Sequence, residues 1–316
     1  MNELDPLDPA VDPLAPPTDR SVDTRTRARS ELQLRVMSAA VLALAVVLLA
    51  YVGGWPYRVM TVIVGIVVLQ EWSAMTGCLR PFRLAQGVTV VAFAAIASLV
   101  LAAQYSVAIV AAVVAFAVAY AVSYWRLREV PRPPDARHWS WLSLGFLYAT
   151  SFMVAFAALR GDGAFGLAAC AFLLAVVWAT DTFAYFVGKS LGGPKLAPRI
   201  SPNKTWSGFL GGVAFAVLAA WGVVAVYAWL GTVGGVGFWL VPVAIVLSVV
   251  SQCGDLFESW VKRRSGAKDS GRIIPGHGGL MDRIDGLGAA AVAALMLLVL
   301  ATGGTDADDA LFLTLG

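Results

Sequence analysis

The chain has 316 residues, 59% of them hydrophobic and 14% charged, against about 45–50% apolar and about 25% charged in a soluble domain. That composition excludes a soluble globular protein. Apolar stretches of about 18 residues or more recur along most of its length, so the fold class is all-α, a polytopic integral membrane protein whose backbone polar groups are satisfied within each helix. A β-barrel is excluded as well, since its strands would be about 10 residues long with alternating polarity.

Residues 1–33 hold Pro6, Pro9, Pro13, Pro16 and Pro17 among five aspartates, followed by Arg20, Arg25, Arg27 and Arg29. Such a segment cannot bury a core and reads as a disordered cytoplasmic tail. The first apolar run begins near Val36 and is long enough to span. It is therefore expected to stay in the mature protein and not to act as a cleaved signal peptide.

Apolar runs of about 20 residues predict nine spans, near Val36 to Val52, Tyr57 to Thr76, Gln86 to Ala103, Tyr105 to Trp125, Trp141 to Leu159, Ala164 to Gly188, Gly208 to Leu230, Val236 to Cys253 and Gly286 to Thr302. Charge gives a second test, because cytoplasmic segments hold the excess of Lys and Arg. With the N-terminus inside, the inner segments carry five, two, four, four and six basic residues, 21 of the 23 in the chain. Only Arg58 and Arg160 fall outside. The expected topology is N-terminus cytoplasmic and C-terminus outside, in a cell (inner or plasma) membrane. The chain divides into the tail, N-terminal membrane helices over 34–163 and a C-terminal membrane region over 164–316, where the candidate chemistry below falls.

Cys78, Cys170 and Cys253 are far apart and form no CxxC pair, so they read as small apolar packing residues. Two inner connections, Lys189 to Ser207 and Gly254 to Asp285, are long and rich in Gly, Pro, Lys and Asp. Long connections of defined composition are usually functional or disordered, and the Gly and Pro spacing here favours an ordered site.

The second of these contains Asp255, Glu258, Asp269, Asp282 and Asp285 with six basic residues and His277. Asp255, Ser259 and Lys262 are spaced i, i+4, i+7 and share one face if the preceding span continues as a helix. Asp282 and Asp285 stand i, i+3 before the last span. Two helix ends bearing carboxylates would then face each other across a glycine-rich loop. Carboxylates ringed by lysines and arginines suit a Mg²⁺–nucleotide complex, and the glycines of PGHGG let backbone N–H groups approach phosphate. The alternative is a solvated loop whose acids merely pair with its bases.

Asp181 lies inside the sixth span near its inner end, where an ionisable group needs a polar cavity or a structural partner. Glu71, in the second span, is close enough to the inner interface for its carboxylate to reach water. In ISPNKTWSG, Ser201 and Asn203 either cap the next helix or join a site, and Lys204, expected at the same membrane face as the acidic cluster, is the better candidate for a phosphate contact. His138 reads as an interfacial loop residue, and His277 as either a turn stabiliser or a phosphate contact.

At these positions the chain resembles the phosphatidate cytidylyltransferase (CDP-diacylglycerol synthase) family. The family signature is S-x-hydrophobic-K-R-x4-K-D-x-small-x2-hydrophobic-P-x-H-G-G-hydrophobic-x-D-R-hydrophobic-D. It is met by Ser259, Val261, Lys262, Arg263, Lys268, Asp269, Gly271, Ile274, Pro275, His277, Gly278, Gly279, Leu280, Asp282, Arg283, Ile284 and Asp285. DTFAYFVGKSLGG and SPNKTWSGFLGG are similar to two further family segments, so the resemblance covers roughly Ala164 onward, while the first four spans match only in hydropathy.

The resemblance implies the reaction CTP + phosphatidate → CDP-diacylglycerol + pyrophosphate, in phospholipid biosynthesis, by direct attack of the lipid phosphate on the α-phosphorus. It implies metal ligation by Asp255 and Asp282, with Asp285 and Asp181 as further contributors. Lys204, Lys262, Arg263, Lys268, Arg283 and His277 become phosphate-binding candidates, with Asp255, Asp282, Lys262 and Lys268 as the catalytic set. Ser201, Asn203, Asp269 and Ser259 are additional site candidates. Mg²⁺ is the expected ion, K⁺ a second one, and a homodimer the implied assembly; no nucleic-acid partner is expected. Two other readings compete: another CTP-using membrane enzyme, such as a polyprenol kinase or an ether-lipid synthase, and a transporter with Asp181 and Glu71 as its relay.

Overall fold

In a computed structural model the described residues are 37–38, 40–78, 83–129, 136–163, 165–231, 239–271, 273 and 278–305. A first helix, α1, runs Ala40–Val52. It is followed by α2 (Gly54–Thr76), α3 (Arg83–Leu101), α4 (Tyr105–Glu129), α5 (Ala136–Arg160), α6 (Gly166–Leu191), α7 (Trp206–Trp229), α8 (Leu240–Arg264) and α9 (Met281–Thr302). A two-stranded antiparallel hairpin, β1 (Lys195–Ala197) and β2 (Ser201–Thr205), separates α6 from α7.

The fold is thus the all-α membrane architecture expected. Among the described residues, six helices are long and apolar enough to cross a membrane: α2, α5 from Ser140, α6, α7, α8 and α9. The apolar stretches Ala40–Val52, Gly87–Leu101 and Tyr105–Ala121 are shorter. The proline- and aspartate-rich tail and His277 lie outside the described residues, as does the side chain of His138.

Helix α5 occupies the centre, with Phe152, Met153, Phe156 and Leu159 buried, and packs against α2, α4 and α9. Its small residues let neighbours approach. A Cβ on Gly145 would sit 2.2 Å from the Trp72 ring, and that indole donates from Nε1 to the Trp141 carbonyl at 2.9 Å. Trp72, Tyr148 and Trp141 continue into Phe257 and Trp260 as a run of ring contacts. This run braces the far half of α8 from α2 and α5.

Helices α6 and α7 form the tightest pair. The buried residues of α7 are Gly208, Gly212, Ala216, Ala220 and Val224, a stripe of four-residue spacing that brings two backbones close without a hydrophobic drive. A Cβ on Gly212 would lie 2.9 Å from the Thr180 carbonyl oxygen. Thr180 Oγ1 in turn donates to Ser248 Oγ at 2.8 Å, tying α6 to α8.

Two sequence expectations need correction. The cap of α7 is Thr205, whose hydroxyl accepts from Gly208 N at 3.2 Å; Ser201 and Asn203 instead belong to β2. Of the cysteines, Cys78 and Cys170 are buried as packing residues, but Cys253 is exposed, because it faces outward on α8, which extends to Arg264.

Candidate active site

The conditional reading of α8 holds: the helix runs unbroken past Cys253, so Asp255, Glu258, Ser259 and Lys262 share its last three turns. Helix α9 begins at Met281, which puts Asp282 and Asp285 in its first turns. The C-terminal ends of α6 and α8, the N-terminal end of α9 and the β-hairpin enclose a cleft of about 700 Å³. Asp181, Asp255 and Asp285 line it together with Lys204, Lys262 and Arg283.

Lys204 Nζ, delivered by β2, lies 2.6 Å from Asp255 Oδ2. Ser259 Oγ donates to the other oxygen of Asp255 at 3.3 Å. Lys262 Nζ lies between two acids, 2.5 Å from Glu258 Oε2 and 2.9 Å from Asp282 Oδ1. The Glu258 side chain is 1% exposed, and the Lys262 ammonium is the cation set beside it in that low-dielectric position.

Asp282 is held further by backbone. Ser270 N donates to Oδ1 at 3.1 Å and to Oδ2 at 3.0 Å, and Gly279 N donates to Oδ2 at 2.9 Å. Asp285 Oδ1 accepts from Gly286 N at 2.8 Å. The close approach at Gly279 depends on its missing side chain, since a Cβ there would lie 2.0 Å from Ser270 Oγ.

The cleft therefore gathers Asp181, Asp255, Asp282, Asp285, Lys204, Lys262, Arg283 and Asn203. Lys268 and Asp269 are exposed on the connection between α8 and α9, and Arg263, also exposed, donates from Nε to the Ile200 carbonyl at 3.5 Å. These three and Ser201 are not among the cleft-lining residues.

Glu71 departs most from its sequence reading. It is 3% exposed and does not reach water, because its oxygens accept from Ser270 Oγ, Leu280 N and Met281 N at 3.0, 2.9 and 2.8 Å. A relay shared by Glu71 and Asp181, as a transporter would need, is not what this carboxylate is arranged for. Gln252, which bears on the cleft, was not singled out from sequence, and Glu258 was named only among the acids of its segment. For Glu258 the usable signals were an acid inside a largely apolar helix, as for Asp181, and its i, i+4 pairing with Lys262.

Carboxylate oxygens are the hard donors that Mg²⁺ takes. That ion binds through one or two carboxylates plus phosphate oxygens and waters, not through an all-protein cage. No group of three or more His, Cys, Asp or Glu among the described residues is close enough to form such a cage. Three aspartates on three helices around an open cleft do suit shared ligation with a triphosphate.

A profile of the cytidylyltransferase family matches residues 33–301. The chain is 40% identical over 286 residues to the phosphatidate cytidylyltransferase of Brucella suis biovar 1 (strain 1330), covering 90% of this chain and 98% of that protein. It is 41% identical over 144 residues to the enzyme of the same name from Bacillus subtilis (strain 168), covering 46% and 52%. The match takes in the hairpin, the helix ends that build the cleft and Glu71 alike, and the chain belongs to the cytidylyltransferase family.

Proposed function

We propose that the protein is a phosphatidate cytidylyltransferase, forming CDP-diacylglycerol and pyrophosphate from CTP and phosphatidate. The observation that carries this reading is the cleft itself: lysines from β2 and α8 and an arginine from α9 face aspartates of α6, α8 and α9. The near full-length relatives named for this reaction support it.

In the reaction a phosphate oxygen of phosphatidate attacks the α-phosphorus of CTP. The new P–O bond forms as the bond from the α-phosphorus to the bridging oxygen breaks, and that electron pair leaves with pyrophosphate. No covalent enzyme intermediate is needed, so the protein's work is positioning and charge compensation. Lys204, Lys262 and Arg283 neutralise phosphoryl oxygens within the cleft; Arg263, Lys268 and His277 extend the basic rim. Asp255 and Asp282, with Asp285 and Asp181, would hold Mg²⁺, with K⁺ as a second ion. The metal would supply charge neutralisation on the triphosphate. Because Lys262 occupies one oxygen of Asp282, an ion bound there must exchange with that ammonium or use the other oxygen.

The chain would cross the inner or plasma membrane nine times, with α1, α3 and α4 as additional spans, the N-terminus and cleft cytoplasmic and the C-terminus outside. That places the charged heads of both substrates in water while acyl chains stay in hydrocarbon. It would act as a homodimer.

Pyrophosphate release by detergent-purified full-length protein, with CTP, Mg²⁺ and phosphatidate omitted in turn and the lipid product weighed by mass spectrometry, tests the reading. Release that needs all three and yields CDP-diacylglycerol is expected. Consumption of CTP only with a different lipid would move the assignment to another CTP-using enzyme.

A further inference from the structure

Glu71 sits in α2, within the N-terminal half, 199 to 210 residues away in sequence from its partners. It has no lysine or arginine partner among the described residues. A buried carboxylate in such a place is costly unless its charge is spread over donors. Here three donors converge on it, two of them backbone N–H groups at the start of α9. Those amides belong to the set a helix leaves unpaired at its N-terminus, where the dipole also favours an anion.

Helix α9 has no side-chain cap of its own at Leu280. Glu71 therefore supplies, from another helix, what an N-cap residue normally supplies from the same one. The third donor, Ser270, is 5% exposed, and its own backbone N–H holds Asp282. One carboxylate thus fixes both the start of α9 and the loop segment that grips Asp282. The space is fitted to it: a Cβ on Gly271 would lie 2.6 Å from Glu71 Oε1, and one on Gly279 2.7 Å from Oε2. Two glycines of the connection are packed against this one side chain.

We infer that Glu71 is a positioning residue for the reaction, a cap supplied by α2 that sets where Asp282 and Asp285 stand relative to Asp255. The inference rests on the proposed function for its kinetic arm. Glutamine is not an equivalent here. Oε2 accepts from both Ser270 and Met281 and Oε1 from Leu280, so an amide must turn its NH₂ group toward at least one donor.

The test uses the full-length protein and its variants Glu71→Gln and Ser270→Ala. Hydrogen exchange at the amides of 278–283 is read beside kcat, the KM for CTP and the melting temperature. In Glu71→Gln, exchange over 278–283 should rise at least roughly tenfold while other helices are unchanged, and kcat should fall about 10- to 100-fold, the loss expected of a misplacement near 1 Å. KM for CTP should stay within about twofold. Ser270→Ala, which keeps both amide bonds, should show a smaller fall in kcat with the same unchanged KM.

A wild-type kcat in Glu71→Gln would overturn the inference. So would an activity loss that comes only with lower melting temperature and faster exchange throughout the chain. If the wild-type protein forms no CDP-diacylglycerol, the proposed function fails while the exchange arm still reports whether Glu71 caps α9.

Discussion

Lys262 and Asp282, twenty residues apart and on different helices, meet at 2.9 Å, and this contact joins the end of α8 to the start of α9. Asp282 accepts from that ammonium and from the amides of Ser270 and Gly279, so replacing an oxygen by NH₂ sets a donor against a donor. In Asp282→Asn, turnover should fall by about two orders of magnitude or more, as losing one preorganised electrostatic contact does. Membrane insertion should be intact. Pyrophosphate release from equal amounts of membrane-inserted protein measures it, and near wild-type activity would remove Asp282 from the catalytic set.

Lys262→Ala carries a different signature. It removes the cation beside Glu258, whose side chain is 1% exposed, and leaving a buried polar group without its partner costs about 1–3 kcal/mol. The variant should melt earlier and need more CTP or lipid for half-maximal rate. Adding Glu258→Gln removes the unpaired carboxyl and should recover part of the melting temperature without recovering turnover. Equal recovery of both would make the lysine purely structural.

At Lys204 the balance reverses. Its pair with Asp255 is open to solvent, with side chains 25% and 37% exposed, and such pairs contribute about 0–1 kcal/mol. Lys204→Ala should leave the melting temperature nearly unchanged while lowering kcat/KM for CTP by at least about tenfold. Comparing thermal melts with steady-state kinetics on one preparation decides it.

Arg160 offers the opposite control. It is 8% exposed at the end of α5 and donates from Nε to the Ala50 carbonyl at 2.5 Å, with further contacts to the carbonyls of Tyr51 and Gly161. The contacts to Ala50 and Tyr51 satisfy carbonyls at the end of α1 that a helix leaves unpaired. Arg160→Met should lower stability by about 2–3 kcal/mol with KM for CTP unchanged. A shift in KM would show that the end of α1 communicates with the cleft.

The acids and bases of the cleft were legible because each belongs to a local pattern. Asp255 with Ser259 and Lys262, and Asp282 with Asp285, follow the 3.6-residue period of the helices that carry them. The capping role of Glu71 was not, because its partners lie some 200 residues onward and no spacing rule reaches that far. The hairpin was also missed: Lys195–Ala197 and Ser201–Thr205 are short and polar, without the alternation that marks a strand. Lys268 and Asp269, several residues after Lys262 in the motif, are exposed and do not line the cleft, so membership of the motif did not by itself put a residue in the lining. Length alone counts six clear crossings, since the described apolar parts of α1, α3 and α4 fall short of a full span.

Thr205 is both the last residue of β2 and the cap of α7, is 6% exposed, and faces Gly188 of α6, where a Cβ would meet its hydroxyl at 2.8 Å. Lys204, next to it, is consequently mounted on a rigid bracket and not on a freely moving strap. A triphosphate arriving in the cleft meets an ammonium already in position, and little conformational freedom is given up at that contact. Affinity at Lys204 should then follow ionic strength, because the interaction is one of charge with charge and does not wait on ordering of the chain.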